Sequence, residues 1–576
     1  MRMVKLFALI AVSSFLFACG DDGGFFVPVS TGKTFSANGG SAEATVSGSG
    51  GFGGGIYMDV YGDVKVRKTG TLNTSFTLPS YDYHFGSNKA TISVDTTVKL
   101  QGTDTIVAGD LFLIPMDSHL FVSNGETATV VTGIEVKSGV TLTVPVNWDT
   151  WAYFVLEQSV LIDGTVRTAV DGADLDIESD SLFQIGSKGL VTTKPVTAGT
   201  DGGDIYLYTV GVFINKGVID SSGADATEGD GGHAGYLEVD ADGFVYNIGT
   251  LLSLGGDGTV DGGNGGWMGI YSYYASVYTS GALDCSGGDG AAGIGGHAGV
   301  YYYGEMSYEI DGIDIYSGGG GEGRNIGHLI AGGTLTANGG NGSSGNGGQA
   351  GYVYLESNGG KLWTSAAVTA RGGSSDLSGG GGGGAFALYA SYGVFDGEAA
   401  VETWGIKITG NIDLSGGAGS LYGGHGGRLE IRNNFSGAGL PTFPAVEMVG
   451  YKSLTLNGGS AFYGGFGGFY RIVTHDWVSN GGVALPIGSI TNSVPASLIG
   501  GSGSSASGYG GFGGGVTFVT DIRYGHDGDV VVDNSAALDA SGGDGYYCYS
   551  AGGVFMFGYN KAVNSGVITA IGGDGA

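Results

Sequence analysis

Residues 281–303 read GALDCSGGDGAAGIGGHAGVYYY. A short alternating segment leads into a glycine pair, a polar loop, a second glycine pair and another alternating segment. Inside it, Gly288-Asp289-Gly290-Ala291-Ala292-Gly293 fits the G-x-G-x-x-G spacing of a dinucleotide phosphate loop. Such a loop has to open a helix, whose N-terminus meets the pyrophosphate. Here a strand pattern follows, and the same spacing returns at 340–345, again without a helix. The glycines therefore read as architecture.

The stretch has sisters. GVIDSSGADA (217–226), GTLLSLGGDG (249–258), GTLTANGGNG (333–342), GNIDLSGGAG (410–419) and AALDASGGDG (536–545) repeat its first half. Anchored on the first glycine of each pair, from Gly223 to Gly572, the copies step by 32, 32, 52, 33, 44, 42, 42, 42 and 30 residues. GGHAGYLEV (231–239), GGQAGYVYL (347–355), GGHGGRLEI (423–431) and GGFGGFYRI (464–472) repeat its second half. One unit thus reads strand, glycine pair, loop of variable length, glycine pair, strand, turn and return. Short alternating strands at a recurring period indicate a solenoid in which each unit adds a coil. The glycines are expected at turns between strands, where positive φ favours them.

Composition agrees. Glycine supplies 123 of 576 residues, yet hydrophobic residues are 41% and aromatics 11%, which excludes a disordered tail. Nine prolines exclude collagen. The balance of 54 acidic to 23 basic residues, a net charge of −31, excludes nucleic acid as a partner, since phosphates need clustered Lys and Arg.

At the N-terminus, Arg2 and Lys5 precede an apolar run, Leu6 to Phe17, too short to span a bilayer. Leu16-Phe17-Ala18-Cys19 closes it and resembles the lipobox of bacterial lipoproteins. That resemblance implies a signal peptide and lipobox over 1–19, lipidation at Cys19, and a flexible tether over 20–32. Gly20, rather than Asp, after the cysteine favours the outer membrane. The membrane is then a partner through a lipid anchor. Residues 33–114 are expected to form a β-rich N-terminal cap or first coils, 115–210 coils without glycine loops, and 211–576 the glycine-rich repeats. The chain stops at AIGGDGA (570–576), inside a unit, so the natural protein is expected to be longer.

The pattern over roughly 115–576 resembles right-handed parallel β-helix proteins, an architecture shared by pectate-lyase-like enzymes and bacterial surface adhesins. The fold class is accordingly all-β: a parallel β-helix solenoid with Gly-rich loops and about ten or more coils. Stacked coils rise about 4.8 Å each, which sets Cys285 and Cys548, six units apart, roughly 29 Å from one another and excludes a disulfide between them.

Candidate chemistry is sparse. Asp225, Asp257 and Asp289 share one register and form a ladder at about 5 Å, a weak calcium candidate beside the alternative of turn chemistry. RTX calcium repeats are rejected, because Ala292, Val260 and Ser344 stand where their acidic ligand belongs. His233, His297 and His425 share a slot filled elsewhere by Trp267, Gln349, Phe466 and Phe512, and read as variable surface positions. Arg428, Glu430 and Arg432 read as a solvated face. Tyr271, Tyr273, Tyr274 and Tyr278 are expected to stack on Tyr301, Tyr302, Tyr303 and Tyr308 in the next coil, or to bind sugar rings if exposed. No catalytic or cofactor-binding residue stands out. The expected function is a cell-envelope-anchored structural or adhesive surface protein, touching extracellular polysaccharide or other cell surfaces. The alternative is a β-helix polysaccharide lyase or glycoside hydrolase.

Overall fold

The computed structural model describes residues 159–575 apart from 169, 303–307, 311, 319–326, 394–404, 437–444, 451, 477–488, 505–506, 522–530 and 559–560, together with separate strands ahead of 159. Calls on Cys19, the signal peptide and the tether fall outside the described residues. Each coil contributes three short strands, such as Ile205–Thr209, Val212–Asn215 and Val218–Asp220, followed by a glycine loop. The next coil repeats them as Leu237–Ala241, Val245–Asn247 and Thr250–Leu252. Successive coils pair in parallel and in register, so the chain is a parallel β-helix with three long sheets. Strands Ser93–Val94 and Lys99–Gln101 pair antiparallel with Thr141–Val144 and Gly133–Val136 of the earliest coil strands.

Period-2 alternation decides what faces inward. In the first sheet one inward column runs Ile205, Leu237, Met268, Ile313, Val353, Phe386, Leu429, Tyr470, Val516, each residue paired with the next. In the third it runs Val191, Ile219, Leu251, Leu283, Leu335, Val368, Ile412, Leu454, Ala496, Leu538. These side chains are buried, and each large one contributes about 1.5–3 kcal/mol. Inside the corner between second and third sheets, amides replace apolar groups. Asn215 donates to Asn247 Oδ1 (2.9 Å), Asn492 to Asn534 (2.7 Å), and Asn534 to Asn564 (2.6 Å). Cys285 is a buried small residue and Cys548 is half-buried; both thiols are free.

Three expectations need correction. The first concerns the glycines. Positive φ occurs among the described residues at Gly139, Gly172, Gly199, Gly229, Gly299, Gly333 and Gly450, and none of the anchor glycines is among them. Instead the two glycine legs of each loop lie backbone against backbone. Gly256 N–H donates to Gly232 O in the coil before (2.9 Å), and Gly263 N–H donates to Gly256 O in its own coil (2.8 Å). The zigzag continues through Gly288, Gly296, Gly340, Gly348 and onward to Gly543. Its partners recur every third residue: Gly262 and Gly265 donate to the following coil, while Gly263 and Gly266 donate across to the opposite leg. Three residues per turn without internal hydrogen bonds is the grammar of a polyproline-II-type helix, here made by glycine so that neighbours can touch. A methyl group at these positions would overlap the facing backbone.

The second concerns length. The glycine legs stay nearly constant, while the gap between first and second strands grows from 210–211 in one coil to 477–489 in another. In the units of 42 and 44 residues the extra length enters the chain at this point. The third concerns tyrosine partners. Tyr271 is in register with Tyr316, and Tyr278 stacks on Tyr246 at 5.1 Å. Val300–Tyr302 and Tyr308–Ile310 instead form an antiparallel hairpin inserted before the next coil, which accounts for the step of 52 together with the longer gap at 318–326. Tyr303 lies outside the described residues.

Candidate functional site

A leg with three residues per turn sends every third N–H outward, where no leg answers it. Side chains answer it instead. Asp225 Oδ1 accepts from Asp257 N–H (2.9 Å), Asp257 Oδ1 from Asp289 N–H (2.8 Å), Asp289 Oδ1 from Asn341 N–H (2.6 Å), and Asn341 Oδ1 from Ser374 N–H (2.9 Å). The aspartate ladder thus spends one oxygen per rung on the next backbone, which is why Asn341 serves equally well. Among the described residues no three His, Cys, Asp or Glu side chains converge as a metal site.

The histidine slot has the same cause. His233 Nδ1 accepts from Asn264 N–H (2.9 Å), Asn264 Oδ1 from His297 N–H (2.8 Å), and His297 Nδ1 from Gln349 N–H (2.9 Å). An imidazole that accepts at Nδ1 is neutral with its proton on Nε2. Burial lowers the pKa of His297 and favours that form.

From residue 422 onward the outward positions change character. The slot held by Asp230, Asp261, Ile294 and Asn346 in earlier coils becomes Tyr422, Tyr463, Tyr509 and Tyr547. Their rings stack at 5.2, 5.1 and 4.7 Å. Beside them a second row runs His425, Phe466, Phe512 and Tyr549, at 4.6, 5.1 and 4.3 Å. Phe466 and Phe512 have no acceptor for the N–H of a following rung, so their side chains give up the capping bond that Asn264 makes. Tyr422, Tyr463, Tyr547, Phe466, Phe512 and Tyr549 are all exposed. This aromatic terrace is apolar surface that the lattice does not require.

The terrace adjoins the outer side of the first sheet, where Glu430 lies. The sequence suggested a solvated face; Glu430 is instead buried to 8% side-chain exposure beneath three guanidinium groups. Arg428 pairs with Oε2, and Arg432 Nε (2.6 Å) and Arg471 Nη1 (3.2 Å) with Oε1. Arg432 also lies over the Tyr389 ring at 5.3 Å.

At the other end of the same sheet the outer side is acidic. Burial, followed by the charges of Glu178 and Glu238, pushes Asp176 up to about 8. Burial likewise raises Asp204 to about 6, Glu238 to about 7 and Asp240 to about 6. Glu238 and Asp240 perturb one another on this face, and Tyr273 Oη donates to Asp240 Oδ2 (3.1 Å). Five coil steps, roughly 24 Å, separate this pair from Glu430 and its arginines. The two clusters therefore cannot act on one bond.

No known family, curated protein or solved structure matches the chain.

Proposed function

We propose that this chain is a cell-envelope-anchored adhesive protein whose contact surface is the aromatic terrace. The carrying observation is the exchange, at fixed lattice positions, of capping residues for exposed stacked rings. Rings that neither fill the core nor cap the backbone are retained for what they touch outside. A rigid solenoid holds them in a straight row, so ordering the surface costs little on binding. Anchoring through Cys19 in the outer membrane completes the proposal and rests on the lipobox resemblance.

The test exchanges rungs. Tyr463→Asn, Phe466→Gln, Tyr509→Asn and Phe512→Gln together install residue types that the same positions carry in earlier coils. Beads coated with the full chain are expected to adhere to polysaccharide-coated or bacterial surfaces, and beads with the variant to lose that adhesion at an unchanged melting temperature. Equal adhesion would end the proposal.

A second reading, a polysaccharide lyase or glycoside hydrolase, draws on the mutually perturbed carboxyls of Glu238 and Asp240. It predicts release of reducing or unsaturated ends that Glu238→Gln abolishes. The distance to any guanidinium of the Glu430 cluster favours adhesion over catalysis.

A further inference from the structure

One rung beside the Glu430 cluster lacks side chains. Residues 379–385 read GGGGGGA, and the outward positions of this coil are Gly379, Gly382, Ala385 and Ala387. In the coil before, the same positions are Asn346, Gln349, Tyr352 and Tyr354; in the coil after, Tyr422, His425, Arg428 and Glu430. Glycine at 380, 381, 383 and 384 is demanded by the lattice, since a methyl there would overlap a facing carbonyl. Gly382 is under no such demand: a methyl would meet only the end of the Gln349 side chain, at 3.1 Å. Its emptiness, and that of Ala385 and Ala387, is a choice of the sequence.

The result is a slot across the helix axis, about one coil step or roughly 5 Å high between flanking side chains. Its floor is Ala387, with Ala385 buried beside it. Tyr352, 49% exposed, stands on one side and Arg428 on the other. Tyr389 closes the inner end, with Tyr354 against it at 5.2 Å and Arg432 over it.

The charge in this slot is not balanced. Three guanidinium groups meet Glu430, and Glu356, which accepts from the Tyr354 hydroxyl and lies in register with Tyr389, adds a second carboxylate; one positive charge is left over, in a chain of net charge −31. Arg432 engages Glu430 through Nε and Arg471 through Nη1, so the Nη pair of Arg432 stays outside those ion pairs. A guanidinium edge left over in this way matches the two oxygens of a carboxylate or sulfate. The exposed Tyr352 and half-buried Tyr389 beside it suit the apolar face of a sugar ring. Distant acidic residues oppose an anion only weakly, because screening acts within about 8 Å at physiological salt.

We propose that this slot binds a single acidic sugar of an extended polysaccharide, its anionic group on Arg428 and Arg432 and its ring between Tyr352 and Tyr389. The site deepens the adhesive reading by adding charge selectivity beside the terrace. A uronate carboxylate and a sulfate ester share this chemistry, and separate probes tell them apart.

The experiment is calorimetry on the full chain with an oligogalacturonate, a sulfated neutral oligosaccharide, the same oligosaccharide unsulfated, and inorganic sulfate. One or both of the acidic oligosaccharides are expected to bind, more weakly as salt rises, with the neutral one silent. Arg432→Gln should weaken binding at least about tenfold, as loss of a charged hydrogen-bond pair implies. Ala387→Tyr fills the slot with a residue that the adjoining coil carries at that register; it leaves every arginine in place and should abolish binding. The four terrace substitutions should leave it unchanged. Equal binding of the neutral sugar, binding of inorganic sulfate as tight as the oligosaccharide, or full binding by a folded Ala387→Tyr protein would each overturn the proposal. Failure here with terrace-dependent adhesion intact would leave the adhesive reading standing.

Discussion

A single methyl group at Gly424 should do more damage than a glutamine-sized side chain at Gly382. A Cβ on Gly424 would overlap the carbonyl oxygen of Gly381, lie 2.6 Å from its carbon and 3.0 Å from the Gly417 nitrogen. These are backbone atoms, so no rotamer relieves the contact. Restoring ordinary separations near 3.5 Å parts the legs by at least about 1 Å. Two hydrogen bonds pass through this residue: its N–H donates to Gly417 O (2.9 Å), and its carbonyl accepts from Gly459 N–H (2.8 Å). Stretched by about 1 Å, neither survives as a hydrogen bond. Their loss costs about 1 kcal/mol each, and overpacking adds about 1–3 kcal/mol, for a total of about 3–5 kcal/mol. Because solenoid stability is summed over neighbouring coils, the cost falls on the coils either side. Native-state hydrogen exchange at the Gly459 and Gly465 amides should therefore accelerate at least about 100-fold in Gly424→Ala, at 1.4 kcal/mol per tenfold. Gly382→Gln should leave both amides unchanged. If the two variants exchange alike, close packing is not the reason for the glycine pairs.

The raised carboxyls on the first sheet make stability depend on pH. Folded Asp176, Asp204, Glu238 and Asp240 hold protons at pH values where the unfolded chain has released them, so stability is greatest below about pH 4 for these groups and falls as pH rises toward about 8. Melting temperature should decline across that window, and Asp176→Asn with Glu238→Gln should flatten the decline; a rising curve refutes the assignment. Asn534→Leu leaves the Asn492 amide group without its buried acceptor and should cost about 1–3 kcal/mol by urea unfolding, whereas Val532→Ile in the same strand should cost less. Asp257→Asn keeps an Oδ1 for the Asp289 N–H and should be nearly silent, while Asp257→Leu should speed exchange of that amide; calcium should not change either result if capping is the ladder's role.

Much of the solenoid could be read from sequence because its signals are periodic. The alternation of VID at 218–220 or LEV at 237–239 marks buried and outward positions directly, and the anchor glycines mark the coils. The reason for those glycines was hidden, because a φ argument and a contact argument predict the same residue. Only the facing carbonyls decide between them. The terrace was hidden by spacing: Tyr422, Tyr463, Tyr509 and Tyr547 lie at unequal intervals, because the loop between the glycine pairs varies in length, and only the bridges between successive coils align them. The tyrosine partners of 271–278 were misjudged for the same reason, since the hairpin at 300–310 interrupts the count. Glu430 was misjudged because alternation places it outward correctly but says nothing of the arginines that cover it.

The glycine lattice makes coils interchangeable. The glycine legs of one loop and the next meet through main-chain hydrogen bonds that recur in every copy, and outward side chains only cap the N–H groups left over. Whole coils can therefore be duplicated, deleted or recombined by genetic rearrangement without disturbing the join, while the outward positions diversify freely. Such a molecule tolerates the largest changes to its sequence and resists the smallest, a single methyl group where two backbones meet.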